Sequence, residues 1–183
     1  MKKRENWLAR GLVTGICLVA FILAGCSKPS APAKKEVVEL KRFPLDSLEG
    51  LITRSDVQID QSISSDGRGS LKITATKPTV VRLFELGDIH VENARLTYQA
   101  KLRTEKAEGR VYLEMWAHFP DKGEFFSRGL QSPLKGTVNW TTEEIQFLIR
   151  KGEKPDRLKL NLVIEGKGKV WIDDVRLIKG PLQ

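Results

Sequence analysis

The chain has 183 residues, of which 31 are Lys or Arg and 23 are Asp or Glu, so its formal net charge is +8. The charges alternate in short runs and do not gather into a basic stripe, which argues against a nucleic-acid partner. Both cysteines, Cys17 and Cys26, lie near the N-terminus, so the rest of the chain has no thiol for a disulfide, a cysteine metal site or a cysteine nucleophile.

The first element is a positively charged N-terminus followed by an uncharged run from Gly11 to Leu23. This order is typical of an export signal. As a helix the run would cover only about 20 Å, whereas the hydrocarbon core of a membrane is about 30 Å thick. The run is therefore too short to be a comfortable membrane span.

The next residues, Leu-Ala-Gly-Cys at 23–26, resemble the lipobox read by bacterial lipoprotein-processing enzymes. The resemblance implies that residues 1–25 are a signal peptide that is removed, and that Cys26 carries acyl chains such as palmitate. The lipid would hold the protein on a membrane. Ser27 stands where an aspartate would favour the inner membrane. We therefore expect a lipid-anchored protein of the cell envelope, on the outer membrane if the cell has two.

Residues 26–37 are predicted to form the lipidated end and a flexible tether, because residues 27–35 are polar, contain two prolines and offer nothing apolar to bury. An extended segment of this length reaches roughly 30 Å. The folded domain is then expected over residues 38–183.

Within that domain, apolar and polar residues alternate with period two, and no segment has a convincing helical period. The segment Leu130–Trp140 is the exception, because Pro133 and Gly136 interrupt it, and a short helix or irregular loop is expected there. About ten short strands with turns every 8 to 12 residues indicate an all-β antiparallel sandwich or barrel. Strands are expected at about 42–46, 57–62, 70–76, 79–86, 94–102, 110–119, 124–129, 143–150, 157–165 and 169–178, with a turn at 106–109 among others.

Two motifs carry a second resemblance. The turn and strand at 66–73, Asp-Gly-Arg-Gly-Ser-Leu-Lys-Ile, and the strand at 170–177, Val-Trp-Ile-Asp-Asp-Val-Arg-Leu, resemble the opening and closing strands of galactose-binding-like jelly rolls. The resemblance is greatest to the carbohydrate-binding modules attached to bacterial glycoside hydrolases. It implies an antiparallel β-sandwich of the jelly-roll type and a module that binds without catalysing.

The pair Asp173-Asp174 interrupts the apolar alternation of the second motif. Val170 and Ile172 share one parity and Val175 the other, which predicts a β-bulge that places both carboxylates at a sheet margin. The jelly-roll resemblance implies a structural calcium near this corner, with Asp173 or Asp174 as a ligand. The alternative is that the carboxylates cap loop amides. No other cofactor is expected.

Catalytic residues are scarce. His90 and His118 are the only histidines, and no Ser lies in a Gly-x-Ser-x-Gly turn. Glu114 and His118 lie on one strand face and could form a base and its orienter, but nothing that resembles a nucleophile is nearby. We therefore expect no enzymatic activity.

The strand at 110–119 has an unusual polar face. Since Val111, Leu113 and Met115 point inward, the intervening side chains form one outward row, and such a row rarely contains Tyr, Trp and His if it faces only water. In jelly rolls of this kind, aromatic rings on such a face contact sugars. The alternative is that the segment 120–140 folds over the row and makes a second small core. The candidate ligand-binding residues are Tyr112, Glu114, Trp116 and His118 from the row, which also includes Arg110, and Arg82, Phe84, Gln146 and Asn161, which by parity could share its face.

The sequence thus favours a membrane-anchored lipoprotein with a non-catalytic jelly-roll module that binds a glycan or cell-envelope polysaccharide. The competing hypothesis is a structural or protein-interaction domain of a cell-envelope assembly that has no sugar site. The partners expected are a membrane, through the N-terminal lipid, and a polysaccharide or an envelope protein.

Overall fold

The computed structural model describes residues 36–182; the predicted signal peptide, Cys26 and nearly all of the predicted tether lie outside the described residues. Within 36–182 the chain is all strand, turn and loop, and no helix in this part is long and apolar enough to cross a membrane. Its strands are β1 (Val38–Phe43), β2 (Val57–Asp60), β3 (Ser70–Ala75), β4 (Thr79–Gly87), β5 (Ala94–Phe119), β6 (Gly123–Arg128), β7 (Leu134–Ile149), β8 (Arg157–Ile164) and β9 (Gly168–Pro181).

The strands form one antiparallel sheet that folds into two layers, because the 26-residue strand β5 belongs to both. The first half of β5 pairs with β7 on one side and β9 on the other. Beyond β9 lie β1 and β3, and β2 pairs with β3. The second half of β5 pairs with β6 and β8, and β4 closes this second layer. The antiparallel β-sandwich expected from the sequence is confirmed.

The core lies between the layers and consists of the alternate residues that the sequence pattern marked as apolar. On the first half of β5, Leu96, Tyr98, Ala100 and Leu102 are fully buried. Burial raises the pKa of the Tyr98 hydroxyl, which donates a hydrogen bond of 3.4 Å to the main-chain oxygen of Asn161 across the sandwich. On the second half of β5 and on β8 the same inward set is Val111, Leu113, Met115, Ala117, Leu158, Leu160 and Leu162.

The predicted turn at 106–109 is wrong, because β5 continues through it and carries the chain from one layer to the other. Three register shifts against β7 between Leu102 and Val111 bend the strand at this point. Glycines allow two backbones to touch at the bend. A Cβ on Gly109 would lie 2.6 Å from the carbonyl carbon of Glu165, and one on Gly168, whose φ is +140°, would lie 2.8 Å from the Cα of Ala107.

Two other boundaries differ from the expectation. The segment Leu130–Trp140 is neither a helix nor an irregular loop for most of its length, since β7 begins at Leu134. Pro133 precedes the strand, and Gly136, with φ +70°, lies at an irregularity in the pairing with β5. The first strand covers 38–43 and not 42–46, because its partner is the end of β9, with Val38 opposite Lys179.

Candidate functional site

The outward row of β5 lies on the outer surface of the sheet, as the alternation of apolar and polar residues predicted. Val111, Leu113 and Met115 are at most 1% exposed, so the alternate side chains point away from the core. Neighbouring strands extend this surface on both sides: Trp116 is opposite Phe126 of β6 and Lys159 of β8. We call the outward surface of β6, the second half of β5, β8 and β4 the Trp116 face.

An aromatic pair lies on this face. The rings of Trp116 and Phe126 are 5.0 Å apart between centroids and tilted by 50°. Trp116 is partly exposed, and Phe126 is 52% exposed. The guanidinium of Arg128 lies 4.3 Å from the Phe126 centroid and 5.9 Å from that of Trp116. The pair therefore offers an apolar surface bordered by a cation.

A buried carboxylate lies beside the aromatic pair. Glu114 is only 5% exposed, and it accepts a 2.6 Å hydrogen bond from Nε of Arg128 and a 3.0 Å bond from Nδ2 of Asn161. Burial alone would raise the pKa of Glu114, but the polar groups of Asn161, Trp116 and Arg128 outweigh it and hold that pKa below its usual value. The carboxylate is therefore charged at neutral pH and fixes the positions of Arg128 and Asn161.

Hydrogen-bonded polar groups lie toward both ends of the face. At one end Arg110 and the hydroxyl of Tyr112 both donate to Oε1 of Glu165, at 2.9 and 3.1 Å. At the other end Nδ1 of His118 and Oδ1 of Asp156 are 2.6 Å apart. Between them Lys159 donates to Glu124, and an open depression of about 320 Å³ is lined by Val80, Tyr112, Glu114, Arg128, Val163 and Glu165 among others.

The alternative in which the segment 120–140 closes over the row is wrong. β6 extends the sheet sideways, and β7 pairs mainly with the first half of β5 in the other layer. Phe125 points to the opposite side of β6 from Phe126, toward Phe119, with 5.9 Å between ring centroids. Phe126 packs against Trp116 without burying it. The row is partly covered: Tyr112 and Glu114 are buried, whereas Trp116 and His118 are partly exposed.

Two of the four residues assigned to the face from other strands lie there. Arg82 of β4 is opposite Asn161 of β8, which is opposite Glu114 of β5. The placement of Phe84 is wrong, because a bulge between Arg82 and Phe84 reverses the parity of β4. Phe84 is 3% exposed and stacks on Phe43, with 3.7 Å between ring centroids.

The placement of Gln146 is also wrong. It lies on β7 opposite Thr97, on the outer surface of the other layer. The parity of a strand decides which of its sides faces the core, but it does not decide to which layer the strand belongs. The parity of Gln146 was predicted correctly, but the layer to which β7 belongs could not be inferred from it.

The bulge predicted at Asp173-Asp174 is confirmed: the pairing of β5 with β9 shifts between Gln99 opposite Arg176 and Lys101 opposite Asp173. The two carboxylates have different surroundings. Asp173 is buried and caps the main-chain amides of Ser65 and Asp174, each at 2.8 Å. Asp174 instead forms ion pairs with Arg42 and Arg176, each at 2.7 Å.

Asp173 also belongs to a cluster of three carboxylates. One oxygen from each of Asp46, Asp66 and Asp173 lies within 4.8 Å of the others. Burial and the neighbouring Asp66 raise the pKa of Asp173, and Oδ1 of Asp46 is buried without a hydrogen-bond partner in the described part of the chain. Arg68 pairs with Asp66 at 2.7 Å and thereby neutralises part of the cluster. An oxygen-rich, partly buried donor set with one orphaned acceptor fits a hard cation such as calcium.

Several residues of these sites were missed at the sequence level. Phe126 and Arg128 alternate along β6, and the short turn at 120–122 places them opposite Trp116 and Glu114. That hairpin signal was present in the sequence but was not extended to the register. Asp46 and Asp66 come from loops far from Asp173 in sequence, and no local pattern could have joined them.

Comparisons with known proteins agree with this architecture. No protein-family model matches the chain, and no curated protein matches it either. Several solved structures are similar to it. The CBM22-1 xylan-binding domain of Xyn10C from Paenibacillus barcinonensis superposes with a TM-score of 0.60 at 13% identity, over 82% of this chain and 100% of that domain.

Two further structures repeat the likeness. A xylan-binding domain of the same module family gives a TM-score of 0.57 at 10% identity, over 83% of this chain and 99% of that one. The C-terminal family 22 carbohydrate-binding module of Xyn10B from Clostridium thermocellum gives 0.53 at 10% identity, over 73% and 90% of the two chains. Identities this low establish the fold alone. The described chain has the β-sandwich jelly-roll fold of carbohydrate-binding modules.

Proposed function

We propose that this protein is a lipid-anchored, non-catalytic module that binds an uncharged glycan on the Trp116 face. The observation that carries the proposal is the partly exposed pair of Trp116 and Phe126 beside the buried Glu114, each of whose carboxylate oxygens accepts a hydrogen bond. The likeness to modules described as xylan-binding supports a polysaccharide as the ligand class.

The arrangement supplies both contacts that a sugar ring needs. The apolar face of a pyranose stacks on an aromatic ring, while its hydroxyls require donors and acceptors at fixed positions. Glu114 is too buried to contact a ligand broadly, so its part is to orient Arg128 and Asn161. Arg128, next to the rings, is the donor best placed to reach sugar hydroxyls.

The charges of the face favour an uncharged ligand. A carboxylate pairs with each of four cations of the face: Arg82, Arg110, Arg128 and Lys159. Because these cations are already paired, a sulfated or carboxylated sugar finds little excess positive charge here and would lie next to the paired carboxylates. Placing an anion beside these carboxylates costs free energy through like-charge repulsion, so neutral sugars are preferred.

The test is an array of neutral and anionic polysaccharides probed with residues 34–183, which form a compact unit of their own. We expect binding to neutral polysaccharides that Trp116→Ala and Phe126→Ala abolish and that Gln146→Ala, on the other layer, leaves unchanged. Binding confined to anionic glycans, or equal loss in all three variants, would contradict the proposal. The absence of any glycan ligand would favour the envelope-scaffold alternative.

A structural calcium at Asp46, Asp66 and Asp173 is a second proposal. The orphaned Oδ1 of Asp46 and the raised pKa of Asp173, due mainly to burial, support it. A bound cation would neutralise like charges between the loop 44–50, the turn 64–69 and the bulge of β9. Its role would be structural, because it would hold these loops together.

The anchor is the third part of the proposal. Its support is the apolar run from Gly11 to Leu23 and the lipobox-like residues that end at Cys26. With lipid on Cys26 the module would act at a membrane of the cell envelope, the outer one if the cell has two. Its partners there would be the membrane and an envelope or extracellular polysaccharide.

A further inference from the structure

The end of the sandwich from which the N-terminal segment leaves has an unusual surface. Of eight large apolar side chains that are exposed among the described residues, four lie at this end. We call these four the tether-end surface: Val37, Val38, Phe125 and Leu148, which are 63%, 41%, 47% and 56% exposed.

One row of this surface crosses the first layer. Arg95 of β5 is opposite Gly180 of β9 on one side and Leu148 of β7 on the other. A Cβ on Gly180 would lie 3.6 Å from the guanidinium of Arg95 and 3.9 Å from Cγ2 of Val37. The Arg95 side chain therefore lies across Gly180 between two exposed apolar residues.

The rest of the surface is the mouth of the sandwich. An open depression of about 310 Å³ separates the β5–β6 hairpin from the end of β7 and is lined by Phe119, Phe125, Phe147 and Leu148. Phe119 is a core residue and the partly buried Phe147 packs against the core, with 6.2 Å between the two ring centroids. Phe125 and Leu148 are thus the outermost part of a continuous apolar region.

The charges around this region are of both signs. Lys122 pairs with Glu153 at 2.9 Å, and Lys154 pairs with Glu92 at 3.5 Å. Within residues 36–182 Arg150 has no carboxylate partner. Beside the opening, therefore, two cations are paired with carboxylates and one, among the described residues, is not. Such a balance does not suit a polyanion, but apolar side chains with a few cations suit the headgroup boundary of a bilayer.

The length of chain before the domain identifies the occupant. Nine residues separate Cys26 from Glu36, the first described residue. As a coil they span about 17 Å on average, and fully extended about 30 Å. With lipid on Cys26, the tether-end surface is the part of the domain nearest to the bilayer. Tethering at this distance gives an effective concentration in the millimolar range, so weak apolar contacts are enough.

We propose that the tether-end surface rests on the lipid bilayer and inserts Phe125 and Leu148 at its headgroup boundary. Its proximity to the bilayer rests on the proposed anchor at Cys26. This placement leaves the Trp116 face open. That face runs from His118, near the hairpin tip, to Tyr112 at the far end. It is therefore oriented along the membrane normal, and its half farther from the membrane is accessible to a polysaccharide.

The test separates this contact from the processing of the lipoprotein in cells. In residues 26–183 Cys26 is the only thiol, so it can be coupled to a maleimide lipid in nanodiscs of phosphatidylcholine with one fifth phosphatidylglycerol. Spin-labelled lipid is then added, and the broadening of backbone amide signals is measured by NMR in these nanodiscs. We expect broadening at 37–38, 122–125 and 148–151, and none at the distal bend of β5 at 106–109 or in the loop 165–167 beside it.

A double variant, Phe125→Asp with Leu148→Asp, should reduce the broadening at least about fivefold, because both apolar contacts are replaced by charges. Leu130→Asp is the matched control, since Leu130 is 41% exposed and lies away from the tether end, just after Gly129, whose amide bonds to the main-chain oxygen of Leu113. Equal broadening at both ends, or no effect of the double variant, would overturn the proposal. So would signal changes that depend on protein density instead of lipid, which would indicate a second copy as the occupant. Glycan binding, measured on the same nanodiscs, reports separately on the Trp116 face.

Discussion

Replacing Trp116 with alanine distinguishes an open binding face from a second core. Trp116 contacts Phe126 and Arg128 on one side and remains partly exposed on the other. Truncation removes this partial packing, and we expect a loss of about 1 to 2 kcal/mol in the free energy of unfolding. Met115, the next residue on the same strand, is fully buried, so Met115→Ala should cost about 2 to 5 kcal/mol through the cavity it leaves.

The assay is thermal unfolding of residues 34–183 followed by circular dichroism. For a domain of this size each kcal/mol lowers the melting temperature by roughly 2 to 4 °C. We expect a decrease of roughly 2 to 8 °C for Trp116→Ala and a distinctly larger one for Met115→Ala. The glycan affinity should show the opposite order, falling tenfold or more only in Trp116→Ala. If Trp116→Ala destabilises as much as Met115→Ala and both retain glycan binding, the reasoning about the face is refuted.

Three other predictions address the anchor, the carboxylate cluster and the acid stability. Cys26→Ser should leave the precursor unprocessed and without labelled palmitate in a bacterial host, and incorporation of label into that variant would remove the anchor from the account. Chelation should lower the melting temperature of residues 34–183 and calcium should restore it. At a calcium concentration of one hundred times the dissociation constant, the gain in the free energy of unfolding is about 2.7 kcal/mol. Asp46→Asn should abolish this response and Asp174→Asn, which is outside the cluster, should keep it, whereas an unchanged wild-type melting curve would exclude the metal. Hydrogen bonds from Ser62 and Trp171 lower the pKa of Asp60 from 3.8 to about 2, so the stability that this carboxylate contributes is present above pH 4 and is lost as the pH falls toward 2. Urea titrations at several pH values should show that Asp60→Asn reduces the loss of stability between pH 4 and pH 2. An unchanged loss in that range would contradict the role given to Asp60.

Much of the fold could be predicted because each strand has one face in the core. Period-two alternation located Leu96 to Leu102 and Val111 to Phe119 correctly, and it identified the outward row that contains Trp116. The parity change at Asp173-Asp174 predicted the bulge for the same reason. Burial of one face of a strand is a local property, so it is visible in the sequence of that strand alone.

The errors arise where a strand departs from simple alternation or where the layers must be known. The glycine-bearing segment 106–109 has the composition of a turn, but β5 bends there without reversing, because Gly109 and Gly168 let backbones approach. The bulge after Arg82 has no marker in composition, and it moves Phe84 into the core. Gln146 has the right parity and the wrong layer.

The central claim is that a neutral glycan binds on the Trp116 face, and NMR mapping of the binding site tests it most directly. A neutral oligosaccharide selected on the array is titrated into isotopically labelled residues 34–183. We expect the largest shifts at Trp116, Phe126 and Arg128 and in the side-chain amide of Asn161. Shifts centred on Gln146 and the outer surface of the other layer, with Trp116 unchanged, would contradict it.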